Sequence, residues 1–314
     1  MARIVQYTEF GGPEVLHLVD VPDPQPAAGE VVVAVEAAGL NPLDWKVRAR
    51  IRETGEITTP RRPGFDGAGV IAAVGSDVTG WSVGDEVVIA GATGTYATLL
   101  AVDTAHIDPK PASLSFAQGA AIGVPIGTAY QVLRSLGVRA GDVLLIHGGS
   151  GAVGQAAIQF ATAWGATVIA TARRENHQRI AELDAIPVSY GPGLLERIRD
   201  VAPGGVDVVL DGAGTDEALD ASFALVADRN RIGTIVVGAR AAELGIRAWS
   251  GGNPVPLTEE EQRDRKDAVR VVGDLVGRGR FEIEIGAEYP LDEAVEAHRR
   301  SQAGGIRGKI VLIP

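Results

Sequence analysis

The 314-residue chain contains no cysteine. That absence excludes disulfide bridges, a thiolate nucleophile and every metal site that depends on cysteine ligands. Long apolar runs are missing as well: none approaches the ~20 residues of a membrane span. The opening residues, Met1 to Gln6 (MARIVQ), lack the apolar core of a signal peptide. A cytoplasmic location is therefore expected, with no membrane partner. Positive charge is scarce, 29 Lys and Arg against 40 Asp and Glu for a net charge of −11. Such a balance gives no electrostatic reason to approach a phosphate backbone, so nucleic acid is not an expected partner. The five histidines, His17, His106, His147, His177 and His298, show no metal-ligand spacing. What is present, 46% hydrophobic and 22% charged residues, is the composition of a globular protein long enough for two cores.

The first third reads as short strands broken by glycine and proline, at Glu30 to Ala37, Gly69 to Val74 and Asp85 to Ile89. This pattern predicts a compact, mostly antiparallel β domain. From about Pro125 helical segments alternate with buried apolar strands, as a doubly wound parallel α/β unit requires. The strands are expected at Val143 to His147, Thr167 to Thr171, Val206 to Asp211 and Ile232 to Val237, and the helices near Thr128 to Leu136, Ala152 to Trp164 and Asn176 to Leu183. After Asn253-Pro254-Val255-Pro256 comes a charged amphipathic helix, Thr258 to Val276, then a tail ending in Lys309-Ile310-Val311-Leu312. A lone helix and two strands bury no core of their own, so this end is expected to dock on one of the two domains.

The most specific motif is Gly148-Gly149-Ser150-Gly151-Ala152-Val153-Gly154, between an apolar strand and an apolar helix. Gly149, Gly151 and Gly154 have the G-x-G-x-x-G spacing of a dinucleotide loop. The first glycine allows the tight turn, the second lets backbone approach a pyrophosphate, and the third lets helix pack on sheet. Amides at the helix N-terminus then receive the phosphate charge. At the end of the next strand an NAD enzyme usually carries Asp or Glu for the ribose hydroxyls; here stands Thr171-Ala172-Arg173-Arg174. A guanidinium binds a 2′-phosphate through paired charge-assisted hydrogen bonds, so NADPH is the expected cofactor.

Further motifs extend the pattern. Asn41-Pro42-Leu43-Asp44-Trp45-Lys46-Val47-Arg48 resembles the N-P-x-D-x-K-x-R signature of zinc-free quinone oxidoreductases. Pro63 to Val70, Val74-Gly75 and Val83 to Val87 resemble the β-domain core of the medium-chain dehydrogenase/reductase superfamily. Ala121 to Leu133, the glycine loop, Asp211-Gly212-Ala213-Gly214 and Gly308 to Leu312 follow in the same order. The chain is similar nearly end to end to the zinc-free, zeta-crystallin-like NADPH:quinone oxidoreductase family. The resemblance implies a GroES-like β-barrel catalytic domain (1–124 with 252–314), a Rossmann domain (125–251) and a homodimer. It also implies a small-molecule quinone or enone (enoyl) substrate. Zinc alcohol dehydrogenases of the superfamily place Cys where Asn41 stands and Gly-His-Glu where Gly64-Phe65-Asp66 stands, so no metal is expected. Relatives close to zeta-crystallin carry Tyr where this chain has Lys46, which leaves quinone and activated C=C acceptors both open. The reading from another class is a cofactor-binding redox sensor or structural protein with little turnover.

Hydride transfer needs no protein nucleophile; it needs orientation and donors for the charge that develops on the acceptor. Taken alone, Asn41 reads as an Asn-Pro turn and Lys46 as an exposed lysine; the resemblance makes them such donors. Asp44 either pairs with Lys46 or Arg48 or caps a short helix. To the cofactor side the resemblance assigns Thr128, expected at a helix start, the loop residues Gly149 to Gly154, Thr171, Arg173 and Arg174. Tyr190 on the adenine side, Ala213, Val237, Arg307 and Lys309 complete that set.

Overall fold

The computed structural model describes residues 1–52, 54–249 and 255–314, and it divides the chain into two compact units. The β-rich unit comprises Met1–Pro125 and Val269–Pro314, the α/β unit Ile126–Ala268. The expected boundary at 251/252 lies outside the described residues, and the second crossing falls inside a helix further on.

In the β-rich unit, β1 (Ala2–Gln6) and β2 (His17–Val21) form an antiparallel pair. β3 (Glu30–Leu40) leads into the short helix α1 (Pro42–Arg48), followed by β4 (Asp66–Val74), β5 (Glu86–Ala90), β6 (Leu99–Asp103) and β7 (Ile107–Pro109). Helices α2 (Phe116–Gly119) and α3 (Gly123–Ser135) come next. β3 is buried along most of its length, and both of its edges are paired. β4 pairs along one edge, while β6 takes Glu30 to Ala34 of the other. The expected strand ending at Ala37 runs on to Leu40 because the last strand of the chain pairs there, Ile310 opposite Leu40. The expected strand starting at Gly69 begins at Asp66, which lies opposite Gly39. A buried aspartate and two glycines hide that start from an apolar-pattern reading.

The α/β unit runs β8 (Val143–His147), α4 (Ala152–Ala163), β9 (Thr167–Ala172), α5 (His177–Glu182), β10 (Ile186–Ser189) and α6 (Leu194–Val201). It continues with β11 (Val208–Asp211), α7 (Asp216–Leu225), β12 (Ile232–Thr234), α8 (Ala241–Leu244) and β13 (Arg247–Ala248). All six strands are parallel in the order β10-β9-β8-β11-β12-β13. Counting from β8, that is 3-2-1-4-5-6, the doubly wound order whose direction reverses between β8 and β11. The core joins Leu145, Ile169, Val209 and Ile232 from the sheet to Leu194, Ile198 and Leu219 from the helices. The expected strand Ile232 to Val237 stops at Thr234, whose hydroxyl accepts from the amides of Val236 (3.1 Å) and Val237 (3.2 Å) and turns the chain out of the sheet.

Helix α9 (Glu259–Gly277) starts at a capping box: Thr258 Oγ1 accepts from Glu261 N, and Glu261 Oε2 from Thr258 N. After it come β14 (Ile285–Pro290), α10 (Ala294–Ala303) and β15 (Lys309–Ile313). These last strands, parallel to each other, extend the sheet of the β-rich unit as β14-β15-β3-β4-β5-β7. The tail therefore docks on the β domain. No helix among the described residues is long and apolar enough to cross a membrane.

Candidate functional site

In the α/β unit the glycine loop leaves the C-terminal end of β8, at the point where the strand order reverses. Ligands bind there in open parallel sheets. Gly148 takes φ +85°, a conformation side chains rarely adopt. The loop is tied to β9 twice, by Gly149 N donating to Thr171 O (2.9 Å) and Gly148 N to Thr171 Oγ1 (3.2 Å). A Cβ on Gly154 would lie 2.3 Å from Gly148 O, so only glycine lets α4 approach so closely. At Gly151 the nearest neighbour of such a Cβ is Gly148 O at 3.8 Å, an ordinary contact, so the backbone there is not crowded. Gly151 is the N-cap of α4 and no side chain caps the helix, so the first-turn amides at Ala152 and Val153 are left for an anion. Ser150 lies within the same turn, its carbonyl accepting from Gln155 Nε2 (3.0 Å).

Thr171 departs from the expectation of a cofactor contact. It is buried, its hydroxyl serves Gly148 and lies 3.4 Å from His147 Nδ1, and it shapes the loop from beneath. His147 is held by Ser222 Oγ at 3.2 Å, and burial pushes its pKa down to about 4, so the ring is neutral at physiological pH. Beyond β9 both Arg173 and Arg174 are exposed. Arg173 Nε donates to Tyr190 Oη (3.0 Å), and its Nη1 lies 3.8 Å from Glu175. Tyr190, just after β10, is half exposed. Ala213 is exposed in the turn after β11, where Asp211 Oδ1 accepts from its amide and from that of Gly214. Val237 follows the turn at Thr234. Thr128 does not open its helix: α3 begins at Gly123, which makes Thr128 its sixth residue, and it is buried.

In the β-rich unit the N-P-x-D segment forms α1, with Asn41 at the N-cap and Pro42 at the first turn, where its missing N–H is no loss. Asp44 is paired with neither Lys46 nor Arg48. Its Oδ2 accepts from Asn41 N (2.7 Å) and Tyr96 Oη (2.8 Å), so the capping reading describes it. Burial raises its pKa to about 7 against the lowering effect of those two bonds. The Asn41 side chain is buried and its amide is engaged: Nδ2 donates to Asp66 Oδ2 (2.8 Å), and Oδ1 accepts from Lys309 Nζ (2.5 Å). Lys309 also donates to Asp66 Oδ2 (3.2 Å), and burial pushes its pKa down. The expected cofactor-binding lysine is therefore an internal cation, 3% exposed, and Asn41 fixes it in place. Arg307 is exposed and ion-paired with Glu284 (2.6 Å). Lys46 is half-buried, 5.6 Å above the Trp45 ring, and burial lowers its pKa. Phe65 stands beside Asp66, whose Oδ1 accepts from Val124 N (2.9 Å) at the start of α3. No group of three or more His, Asp or Glu that could hold a metal occurs among the described residues.

Two family models match this chain, the alcohol dehydrogenase GroES-like domain over residues 27–112 and the zinc-binding dehydrogenase over residues 184–312. Human quinone oxidoreductase is 32% identical, with 100% of this chain and 98% of the human protein covered. Among solved structures, Escherichia coli quinone oxidoreductase complexed with NADPH shares 25% identity at a TM-score of 0.85, covering 100% of each chain. The CurK enoyl reductase shares 25% identity at a TM-score of 0.85, covering 99% of each chain. The chain belongs to the quinone oxidoreductase family of the medium-chain dehydrogenase/reductases. Membership makes it an NAD(P)H-dependent oxidoreductase.

Three residues of this family member escape a reading by motif: Asp66, Tyr96 and His147. Tyr96 is fully buried, with its ring edge-on to His298 at 5.8 Å between centroids. Nothing in the sequence around it marks it. Asp66 carries a signal, since it stands where zinc alcohol dehydrogenases place the Glu of Gly-His-Glu. His147 carried one too, as the last residue of an apolar strand entering a glycine loop.

Proposed function

We propose that this protein reduces a quinone or an activated C=C acceptor with NADPH and without a metal. The observation that carries the proposal is the uncapped glycine loop at the sheet's switch point, followed at the next strand end by two exposed arginines. NADPH fits these residues. Gly151 is uncrowded where backbone must meet a pyrophosphate, and Gly149 and Gly154 are pressed against protein where the loop must be tight. Ser150 and the amides of Ala152 and Val153 would hold the pyrophosphate, and Arg173 or Arg174 the 2′-phosphate. Tyr190 would lie against the adenine, and Thr128, Ala213 and Val237 would complete the lining. When bound, NADPH supplies a hydride.

On the acceptor side, Lys46 is the donor best suited to meet negative charge developing on a carbonyl oxygen. It is half-buried, and it has no ion pair with a described residue. Asn41, with its amide engaged, acts by holding Lys309 and Asp66. Asn41 and Phe65 at the two substituted ligand positions supply no strong zinc ligand, which supports metal-free chemistry. The functional division we propose follows the sequence, 1–124 with 252–314 for the acceptor and 125–251 for the cofactor.

The test is turnover with a panel of quinones and enones, using NADPH and NADH side by side with and without a chelator. NADPH-dependent reduction unaffected by chelation is expected. Loss of turnover on chelation, restored by added zinc, sinks the metal-free reading; no turnover with any acceptor sinks the reductase reading in favour of a sensor.

A further inference from the structure

Tyr190 opens the turn that joins β10 to α6, Tyr190-Gly191-Pro192-Gly193. Its two glycines take φ +97° and +83°, and glycine has the most backbone freedom to lose, so the turn does not fix its own shape. Side chains from two helices fix it. All three guanidinium nitrogens of Arg197, the fourth residue of α6, donate to carbonyls of this loop: Nε to Ser189 O (2.9 Å), Nη1 to Pro192 O (2.8 Å) and Nη2 to Gly191 O (2.7 Å). Glu217, in the first turn of α7, accepts from Gly191 N (2.9 Å). Neither α6 nor an ion pair accounts for Arg197 in this place. A cation so close to a helix N-terminus opposes the helix dipole, and Arg197 makes no ion pair with a described residue. What its planar fork fits is the loop.

We propose that Arg197 is a positioning residue for cofactor choice: it locks the turn that carries Tyr190, and the locked Tyr190 holds Arg173 ready for the 2′-phosphate. The proposal rests on the NADPH reading above and singles out Arg173 from the two arginines. Tyr190 Oη accepts from Arg173 Nε (3.0 Å), which leaves both Nη groups of Arg173, one of them 3.8 Å from Glu175, to meet a phosphate. Arg174 has no side-chain partner among the described residues, so no described group orders it in advance. Ser189 Oγ lies 3.2 Å from His177 Nε2, which ties the root of the same loop to the start of α5. Arg197 therefore governs the tip, where Tyr190 stands half exposed. An arginine already held in place loses less side-chain freedom on meeting its ligand than a free one does.

The test is a fluorescence titration of the intact chain with NADPH and with NADH, which needs no acceptor and no turnover. Arg197→Lys keeps the charge, but a single ammonium lacks the fork that spans three carbonyls. We expect it to weaken NADPH by about 3- to 10-fold, the effect of freeing one long side chain, and NADH by less, so that the preference for NADPH falls. Tyr190→Phe should lower the preference by a similar factor, and the double variant should lower it no further than either alone. A loss of stability alone would leave the ratio of the two affinities where it was. Should Arg197→Lys not fold, Glu217→Ala is compared with Glu217→Gln. Both lose the charge, but only alanine loses the bond to Gly191 N, so the alanine variant should show the smaller preference. A preference unchanged in Arg197→Lys, or losses that add in the double variant, overturns the proposal while leaving the NADPH reading intact. A wild type that binds NADPH no tighter than NADH overturns that reading, and the proposal with it.

Discussion

At the scale of single residues, chemistry legible in the sequence depends on neighbours that are also neighbours in the chain. Arg173 and Arg174 follow directly on β9, and both emerge exposed at its end, as their position implied. Arg173 is already oriented by Tyr190, while Glu175 competes for it from the solvent side. We therefore expect NADPH to bind at least several-fold tighter than NADH, and replacement of both arginines by alanine to abolish the preference while leaving NADH binding nearly unchanged. Equal affinities of the wild type for the two cofactors in a fluorescence titration would refute this. Lys309 and Asn41 behave differently: their bond spans 268 positions, and no local pattern announces it. Lys309 looks like one of a pair of terminal cations with Arg307, yet only Arg307 reaches solvent. The reason is that Arg307 precedes β15 and pairs with Glu284, whereas Lys309 begins the strand beside the buried carboxylate that β4 supplies.

At the scale of elements, period and turn chemistry identify four of the six parallel strands and the glycine loop, because each is a contiguous run with its own punctuation; β10 and the two-residue β13 are too short to show one. Boundaries set by a distant side chain were not readable. The start of α3 is the clearest case, since the carboxylate receiving the amide of its second residue, Val124, belongs to β4 and the helix begins at Gly123 rather than Thr128. The second C-terminal strand, β14, has no readable bounds either, for its residues alternate between half-buried and exposed and, among the described residues, it joins the sheet through β15. The Asp66 contact also makes Gly123 a sensitive position. A Cβ there would lie 2.2 Å from Asp66 Oδ1, and Asp66 cannot retreat without losing Asn41 and Lys309. Gly123→Ala is expected to destabilise the protein by about 1–3 kcal/mol, the usual range for overpacking a well-filled site, despite alanine's better helix propensity. Urea unfolding measures the loss; a variant as stable as the wild type would mean that this carboxylate has room to move.

At the scale of the whole molecule, three buried groups set the acid response of the fold. Burial holds His147 near 4 and His298 near 3, both below the ordinary value of 6.5, so each is neutral when folded and gains a proton on unfolding at pH 5. Their contribution is present above 6.5 and lost as pH falls. Asp44 acts in the opposite sense: raised to about 7 from 3.8, it keeps its proton when folded and releases it on unfolding, so its contribution is lost as pH rises through 7. Two protons taken up less one released leaves a net uptake of one at pH 5, shrinking towards zero by pH 6.5 as the unfolded histidines deprotonate. Glu261, held low, and Asp264, held high, act in opposite senses on this balance. Unfolding free energy, summed over both units if they unfold separately, should therefore rise with pH by about 1.4 kcal/mol per unit near pH 5 and level off by pH 6.5. His298→Asn removes one titrating group and should flatten the slope at pH 5 whatever it does to absolute stability. Wild-type stability that falls across this window, or a slope unchanged in His298→Asn, would show that the buried histidines do not govern the acid limb.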